Sequence, residues 1–138
     1  MRLWSAKAPD EFNLDIFNAG DYEQAVVEQV RAESLSKVLY PEDSTAQGKE
    51  LRLSQQYFFT AASMRDFIAH GTPDGFDIRD LPSRVIFQLN DTHPVIGVPE
   101  LLRILIDDHG LAWDEAWDIT RRCLAYTCHT LMPEALEV

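Results

Sequence analysis

Val85-Ile86-Phe87-Gln88-Leu89, followed at once by Asn90-Asp91-Thr92-His93-Pro94, decides how this chain is read. The first five residues are β-branched, aromatic and apolar, the composition of a short strand inside a sheet. The next four carry hydrogen-bonding side chains and end at a proline. They fall at the strand's carboxyl end, where open α/β sheets place their ligand crevices. Downstream, Pro99 opens a helix through Glu100-Leu101-Leu102-Arg103-Ile104-Leu105-Ile106 that Gly110 closes. A last helix is expected from about Trp113 to Tyr126, with Trp113, Ala116, Trp117, Thr120 and Leu124 on one face. Strand followed by helix predicts an α/β unit, yet one or two strands do not make a stable sheet alone.

Upstream, Leu3-Trp4-Ser5-Ala6-Lys7 reads as a short strand ended by Ala8-Pro9, and Asp10 to Gly20 as irregular. Asp21 caps a helix to about Leu39, with Gln24 at the reciprocal capping-box position and a Glu33/Lys37 pair one turn apart. Its apolar residues Tyr22, Val26 and Val30 form one narrow stripe, the pattern of a helix that projects or meets a partner. A polar loop, Tyr40 to Gly48, separates it from a second helix, Lys49 to His70, whose apolar residues cover most of the circumference. Gly71-Thr72-Pro73-Asp74-Gly75 ends that helix.

The 138 residues suit one domain, and 46% hydrophobic with 25% charged residues is a globular composition. The net charge of −11 opposes phosphate backbones and anionic lipid, so the reading includes no nucleic acid and no membrane. No apolar run approaches the roughly 18 residues of a membrane span, and no signal peptide is evident, so a cytoplasmic protein is expected. Cys123 and Cys128 are read on one helix, about 7.5 Å apart along its axis, which argues against a disulfide. There is no internal repeat.

Two clusters are chemically suggestive. Asn90, Asp91, Thr92 and His93 would suit a polyol, although the same residues also suit a turn that caps the next helix. His129, beside Thr127 and Thr130, is the second, although a histidine at a helix end also suits the helix dipole. Asp91, His93, Cys128 and His129 match no closed zinc spacing, and no metal is expected. Glu42-Asp43 reads as a solvated turn. Glycine-rich phosphate loops, nucleophile elbows and Cys/His nucleophile patterns are absent from the sequence.

Read as continuous strings, the residues resemble a known family. These strings are Arg2-Leu3-Trp4-Ser5-Ala6-Lys7-Ala8-Pro9; Val38-Leu39-Tyr40-Pro41; Gly48-Lys49-Glu50-Leu51-Arg52-Leu53 with Gln56-Tyr57-Phe58; Gln88-Leu89-Asn90-Asp91-Thr92-His93-Pro94 with Pro99-Glu100-Leu101; and Ala125-Tyr126-Thr127 with His129-Thr130 and Pro133-Glu134-Ala135-Leu136-Glu137. In this order and over essentially the whole chain, they resemble the α-glucan (glycogen, starch and maltodextrin) phosphorylases.

The resemblance implies a glycosyltransferase that uses pyridoxal phosphate and inorganic phosphate to release glucose 1-phosphate from an α-1,4-glucan. It implies that residues 1–138 are one interior segment of a Rossmann-like, GT-B type amino-terminal domain, a helix-rich piece with few strands. The cofactor's lysine would lie in the missing carboxyl-terminal domain, not in this chain. Carried over by position, His129 would hydrogen-bond the reacting glucose, and Asn90, Asp91, Thr92, His93 and Thr130 would line the same pocket. Pro41 to Gly48, with Glu42, Asp43 and Ser44, would be the gate loop. Asp43 would lie near the substrate phosphate, and Arg52 would begin the helix behind the gate. Tyr22 to Val38 would pack on its twin in a homodimer.

Departures limit what carries over. Ala69 and His70 stand where animal members have an arginine pair for nucleotide phosphate, so the resemblance does not extend to that control. Thr45 and Ala46 replace gate-loop aromatics, Glu42 replaces a common Asn, and Cys128 replaces the Asn before the histidine. Two other readings compete: an inactive module that dimerises or holds sugar weakly, and a metal hydrolase using Asp91, His93 and His129.

Overall fold

The computed structural model describes residues 3–8 and 12–132. The expectations at Pro9, Asp10 and Glu11, and the string from Pro133 to Glu137, lie outside the described residues. The chain divides into two compact units, Met1–Phe59 and Thr60–Val138.

In the first unit residues 3–8 form no strand or helix, with the Ala6 amide donating to Ser36 Oγ at 3.1 Å. The stretch expected to be irregular contains a short helix, α1 (Leu14–Asn18), because Asn13 Oδ1 accepts the Ile16 amide and caps it. Asp21 does cap the next turn, accepting the Gln24 amide at 3.1 Å. That turn is 3-10, Gln24–Val26, and the α-helix proper is α2 (Val27–Lys37). Tyr22 therefore lies off the helix, where its ring packs on Phe17 at 4.7 Å, with Phe12 beyond at 5.0 Å from Phe17. The expected stripe thus loses its first member to an aromatic cluster, although Glu33 and Lys37 do pair.

The next helix, α3 (Ala46–His70), begins three residues earlier than expected. Thr45 Oγ1 accepts the Gly48 amide at 3.1 Å and acts as the cap, so Gly48 lies in the first turn and not at the loop's end. A Cβ at Gly48 would run into the Glu42 carbonyl oxygen; glycine alone allows the loop to fold back so closely. Residues of α3 through Phe59 belong to the first unit. There Gln55 is buried and donates to the Val38 carbonyl at 2.6 Å, while Leu53 and Tyr57 are exposed, so the helix is less enclosed than its composition suggests.

The second unit, from Thr60, is built around Met64, Leu81, Leu101, Ile104, Leu105 and Cys123. Gly97, where a Cβ would strike Met64 and Thr60, lets α4 (Gly97–Arg103) press against the remainder of α3. A π-helical turn, Ile104–Asp108, follows α4, and Gly110 reverses the chain at φ +70°. Pro99 therefore sits inside the first turn of α4, not at its opening. Glu100, only 3% exposed, is held by both guanidinium arms of Arg103 at 2.9 and 3.0 Å. That bond pushes the Arg103 guanidinium up from its ordinary value and gives the buried carboxylate the partner it requires.

β1 (Phe87–Asn90) starts two residues later than expected and includes Asn90. The larger correction concerns the last helix. α5 (Trp113–Cys123) stops at Cys123, and the chain passes directly into β2 (Leu124–Thr127), which pairs parallel with β1. Leu124 to Thr127 match a helix pattern locally, but pairing with β1 supplies backbone partners at a sheet edge. The buried face of α5 is Ala116, Ile119, Thr120 and Cys123; Trp113 and Trp117 are 62% and 46% exposed. Asp118 accepts from Arg121 and Arg122, and these bonds hold its carboxyl below the usual range. The whole is an α/β arrangement, helix-rich, with one two-stranded parallel sheet among the described residues.

Both cysteines are free, Cys123 fully buried on α5 and Cys128 exposed beyond β2. Burial pushes the Cys123 thiol up to about 11. A thiol reagent at pH 8 should therefore modify one cysteine per native chain and two after denaturation. Between pH 9 and about 11 the unfolded chain ionises this thiol while the folded chain does not, so urea titrations should show stability falling across that window.

Candidate functional site

The parallel register sets Asn90 opposite Thr127, so the residues that follow each strand leave at the same carboxyl end. Three bonds join them there. The Asp91 amide donates to the Thr127 carbonyl at 2.9 Å. Asp91 Oδ1 accepts the His129 amide at 2.7 Å across a separation of 38 residues. Gln88 Nε2 donates to Thr127 Oγ1 at 2.8 Å. Asp91 reaches this position with φ +60°, a left-handed conformation that aspartate tolerates better than most residues.

Asn90, Asp91, Thr92 and His93 therefore stand beside His129 and Thr130 along one edge. Asn90, Thr92 and His129 are exposed, and Asp91, His93 and Thr130 half-buried. His129 follows a strand, not a helix, so the helix-dipole explanation for it fails. The helix-cap explanation for Asp91 and Thr92 fails too: the cap position of α4 is Ile96, without a side-chain bond. One carboxylate oxygen of Asp91, Oδ1, is taken by the His129 amide. Thr130 Oγ1 accepts the Met132 amide at 3.1 Å, and Cys128 Sγ lies 3.0 Å from the Thr130 carbonyl. Partial desolvation, with Cys128 and Asp91 alongside, pushes the Tyr126 phenol up from its ordinary value.

The expected gate loop belongs to the first unit. Its Asp43 carboxylate forms an ion pair with Arg52, whose guanidinium also lies 5.7 Å from the Tyr40 ring centre. Glu42 Oε1 accepts the Ser44 amide at 2.9 Å, so the acidic pair is tied into local structure and is not simply solvated. Pro41 is half-buried and Ser44 exposed. Two grooves in this unit, of about 410 and 780 Å³, are lined mainly by residues of α2, the start of α3 and residues 5–8, and of the expected gate loop only Gln47 lines the larger one.

The edge at β1 and β2 presents amide, hydroxyl, carboxylate and imidazole groups in a rigid frame, suited to orienting a ligand rich in hydroxyls. Among the described residues no group of three or more His, Cys, Asp or Glu side chains could hold a metal ion. Gln88 was not singled out in the sequence. The signal was there, since strand alternation puts its side chain on the same face as that of Asn90.

Asp91→Ala removes the acceptor for the His129 amide and leaves a residue ill suited to positive φ; Asp91→Asn keeps both features. Hydrogen exchange should show the His129 amide deprotected in Asp91→Ala and still protected in Asp91→Asn. The alanine variant should lose about 1–3 kcal/mol of stability in urea titrations, and the asparagine variant less.

Comparison with known proteins gives a consistent result. Residues 1–138 match the carbohydrate phosphorylase family. The chain is 53% identical over 137 residues to glycogen phosphorylase 2 of Dictyostelium discoideum, covering 99% of this chain and 14% of that protein. It is 52% and 51% identical over 145 residues to the muscle and brain forms of human glycogen phosphorylase, covering 99% of this chain and 17% of each. The chain thus spans about one sixth of the length of these relatives. On this match it belongs to the carbohydrate phosphorylase family.

Proposed function

We propose that this chain supplies one wall of the glucose site of an α-glucan phosphorylase that releases glucose 1-phosphate from α-1,4-glucan and inorganic phosphate. The supporting observation is the bond from the His129 amide to Asp91, which sets the histidine beside the Asn90-Asp91-Thr92-His93 turn. In this reading residues 1–138 are one segment of a Rossmann-like, GT-B type amino-terminal domain of a cytoplasmic enzyme. The β1-to-β2 crossover is the part of that architecture within the chain.

His129 hydrogen-bonds the reacting glucose. Asn90, Thr92, His93 and Thr130 orient its hydroxyls, and Asp91 holds the histidine in place while contributing negative charge beside a sugar whose transition state is cationic. Residues 41–48 act as the gate. Asp43 serves near the substrate phosphate once it leaves Arg52. None of these groups is the acid or the nucleophile.

The family's cofactor is pyridoxal phosphate, which supplies a phosphate group for proton transfer. It needs a lysine amine held in a desolvated pocket. Lys7, Lys37 and Lys49, the three lysines here, are all exposed and do not fit it. The reading therefore assigns cofactor and substrate phosphate largely to a carboxyl-terminal domain.

The full-length polypeptide should release glucose 1-phosphate from α-1,4-glucan and phosphate, and His129→Asn should lower kcat about 100-fold. Absence of phosphorolysis in the wild type, or a fully active His129→Asn variant, would overturn the reading. Residues 1–138 alone should be inactive.

The segment from Tyr22 to Val38 is assigned to a homodimer contact, supported by Val30, which is 57% exposed. Val26→Asp with Val30→Asp should halve the mass of the full-length protein in light scattering; an unchanged dimer would refute that assignment. The same exposure favours a second reading of the isolated chain, as a module that only associates or holds sugar weakly.

A further inference from the structure

We propose that Gln88 is a positioning residue for the glucose site, acting through Thr127 and Asn90; the inference rests on the phosphorylase reading above. The backbone of Gln88 is fixed by its neighbours. Leu89 is buried, and the Phe87 ring packs edge-on against Phe67 at 5.7 Å. Strand alternation then turns the Gln88 side chain away from the core, onto the face that carries Asn90.

From there the amide reaches diagonally across the sheet. The register pairs Gln88 with Ala125, yet Nε2 lies 2.8 Å from Thr127 Oγ1, two residues further along β2. The same nitrogen is 3.4 Å from Asn90 Oδ1 and 3.4 Å from the Leu89 carbonyl. A primary amide has two N–H donors, enough to serve Thr127 with one and the Asn90 side with the other.

Two consequences follow. The Thr127 hydroxyl is anchored two residues before His129, so the turn carrying the histidine starts from a fixed point. The Asn90 oxygen is engaged, which directs the NH2 end of that side chain outward as a donor for a sugar hydroxyl. Gln88 touches no substrate in this arrangement. It sets which way two neighbouring groups face. Because it is exposed and outside the core, its loss leaves the backbone pairing of β1 and β2 in place.

The test uses the full-length polypeptide with Gln88→Leu, Gln88→Glu, Thr127→Val and the double variant Gln88→Leu/Thr127→Val. Gln88→Leu should lower kcat for phosphorolysis roughly 3- to 10-fold, the range expected for one lost hydrogen bond, with KM for phosphate unchanged and Tm lowered by less than about 3 °C. Gln88→Glu keeps length and volume but supplies oxygen where the N–H donors stood, and should lose as much. In the Thr127→Val background, Gln88→Leu should cost less than it does alone, because only the path through Asn90 is left to lose.

Wild-type kcat in Gln88→Leu, or multiplicative effects in the double variant, would overturn the inference. So would a fall in Tm above about 5 °C in both Gln88 variants, the mark of a structural role. If any of these occurs while His129→Asn still lowers kcat about 100-fold, the phosphorylase reading stands and this inference alone fails. A wild type without phosphorolysis removes both.

Discussion

The parallel pairing of β1 with β2 is the constraint on which the rest of the second unit depends. Parallel strands cannot be joined by a tight turn, so the chain between them must travel the length of the sheet and return. Here α4, the π-helical turn and α5 make that journey, and their inward faces supply most of the apolar core. The register also decides what stands at the far end. With Asn90 opposite Thr127, Asp91 meets the His129 amide; a slip of one residue would turn the side chains of each strand to the other face.

Polar groups at this end divide into those spent on the frame and those left exposed. Asp91 uses one carboxylate oxygen on a backbone amide, and Thr127 receives Gln88. Asn90, Thr92 and His129 remain accessible. Hydrogen bonds to charged groups are among the stronger ones in proteins, so the aspartate suits the frame better than a neutral residue would. The buried Glu100 follows the same logic away from the site: it is tolerated because Arg103 meets it with two parallel bonds.

Much of this was legible in the residues. The strand before Asn90, the polar turn after it, the loop between the two long helical stretches and the family strings were all readable in the sequence. The misreadings share a cause. Leu124-Ala125-Tyr126-Thr127 continues a helical pattern locally, and only the presence of β1 alongside turns it into a strand. The same change moved His129 from a helix end to a strand end. The sequence pattern groups Trp113, Ala116, Trp117, Thr120 and Leu124 on one face and leaves the two tryptophans as candidates for exposed apolar surface; both are indeed exposed, and α5 buries the smaller Ala116, Ile119, Thr120 and Cys123, which allow close approach. Gly48 seemed to be loop punctuation until the Glu42 carbonyl showed why no side chain fits there. Local propensity had no means of reporting these distant neighbours.

The 38-residue separation of Asp91 and His129 also sets when this edge comes into being. Its two halves are distant in the chain, and closing so long a loop loses entropy that only the finished core can offset. During synthesis the Asn90 turn emerges well before its counterpart. A nascent chain that has not yet docked the second strand therefore carries only the first half of this edge, and the bond from the His129 amide to Asp91 arrives together with completion of the fold.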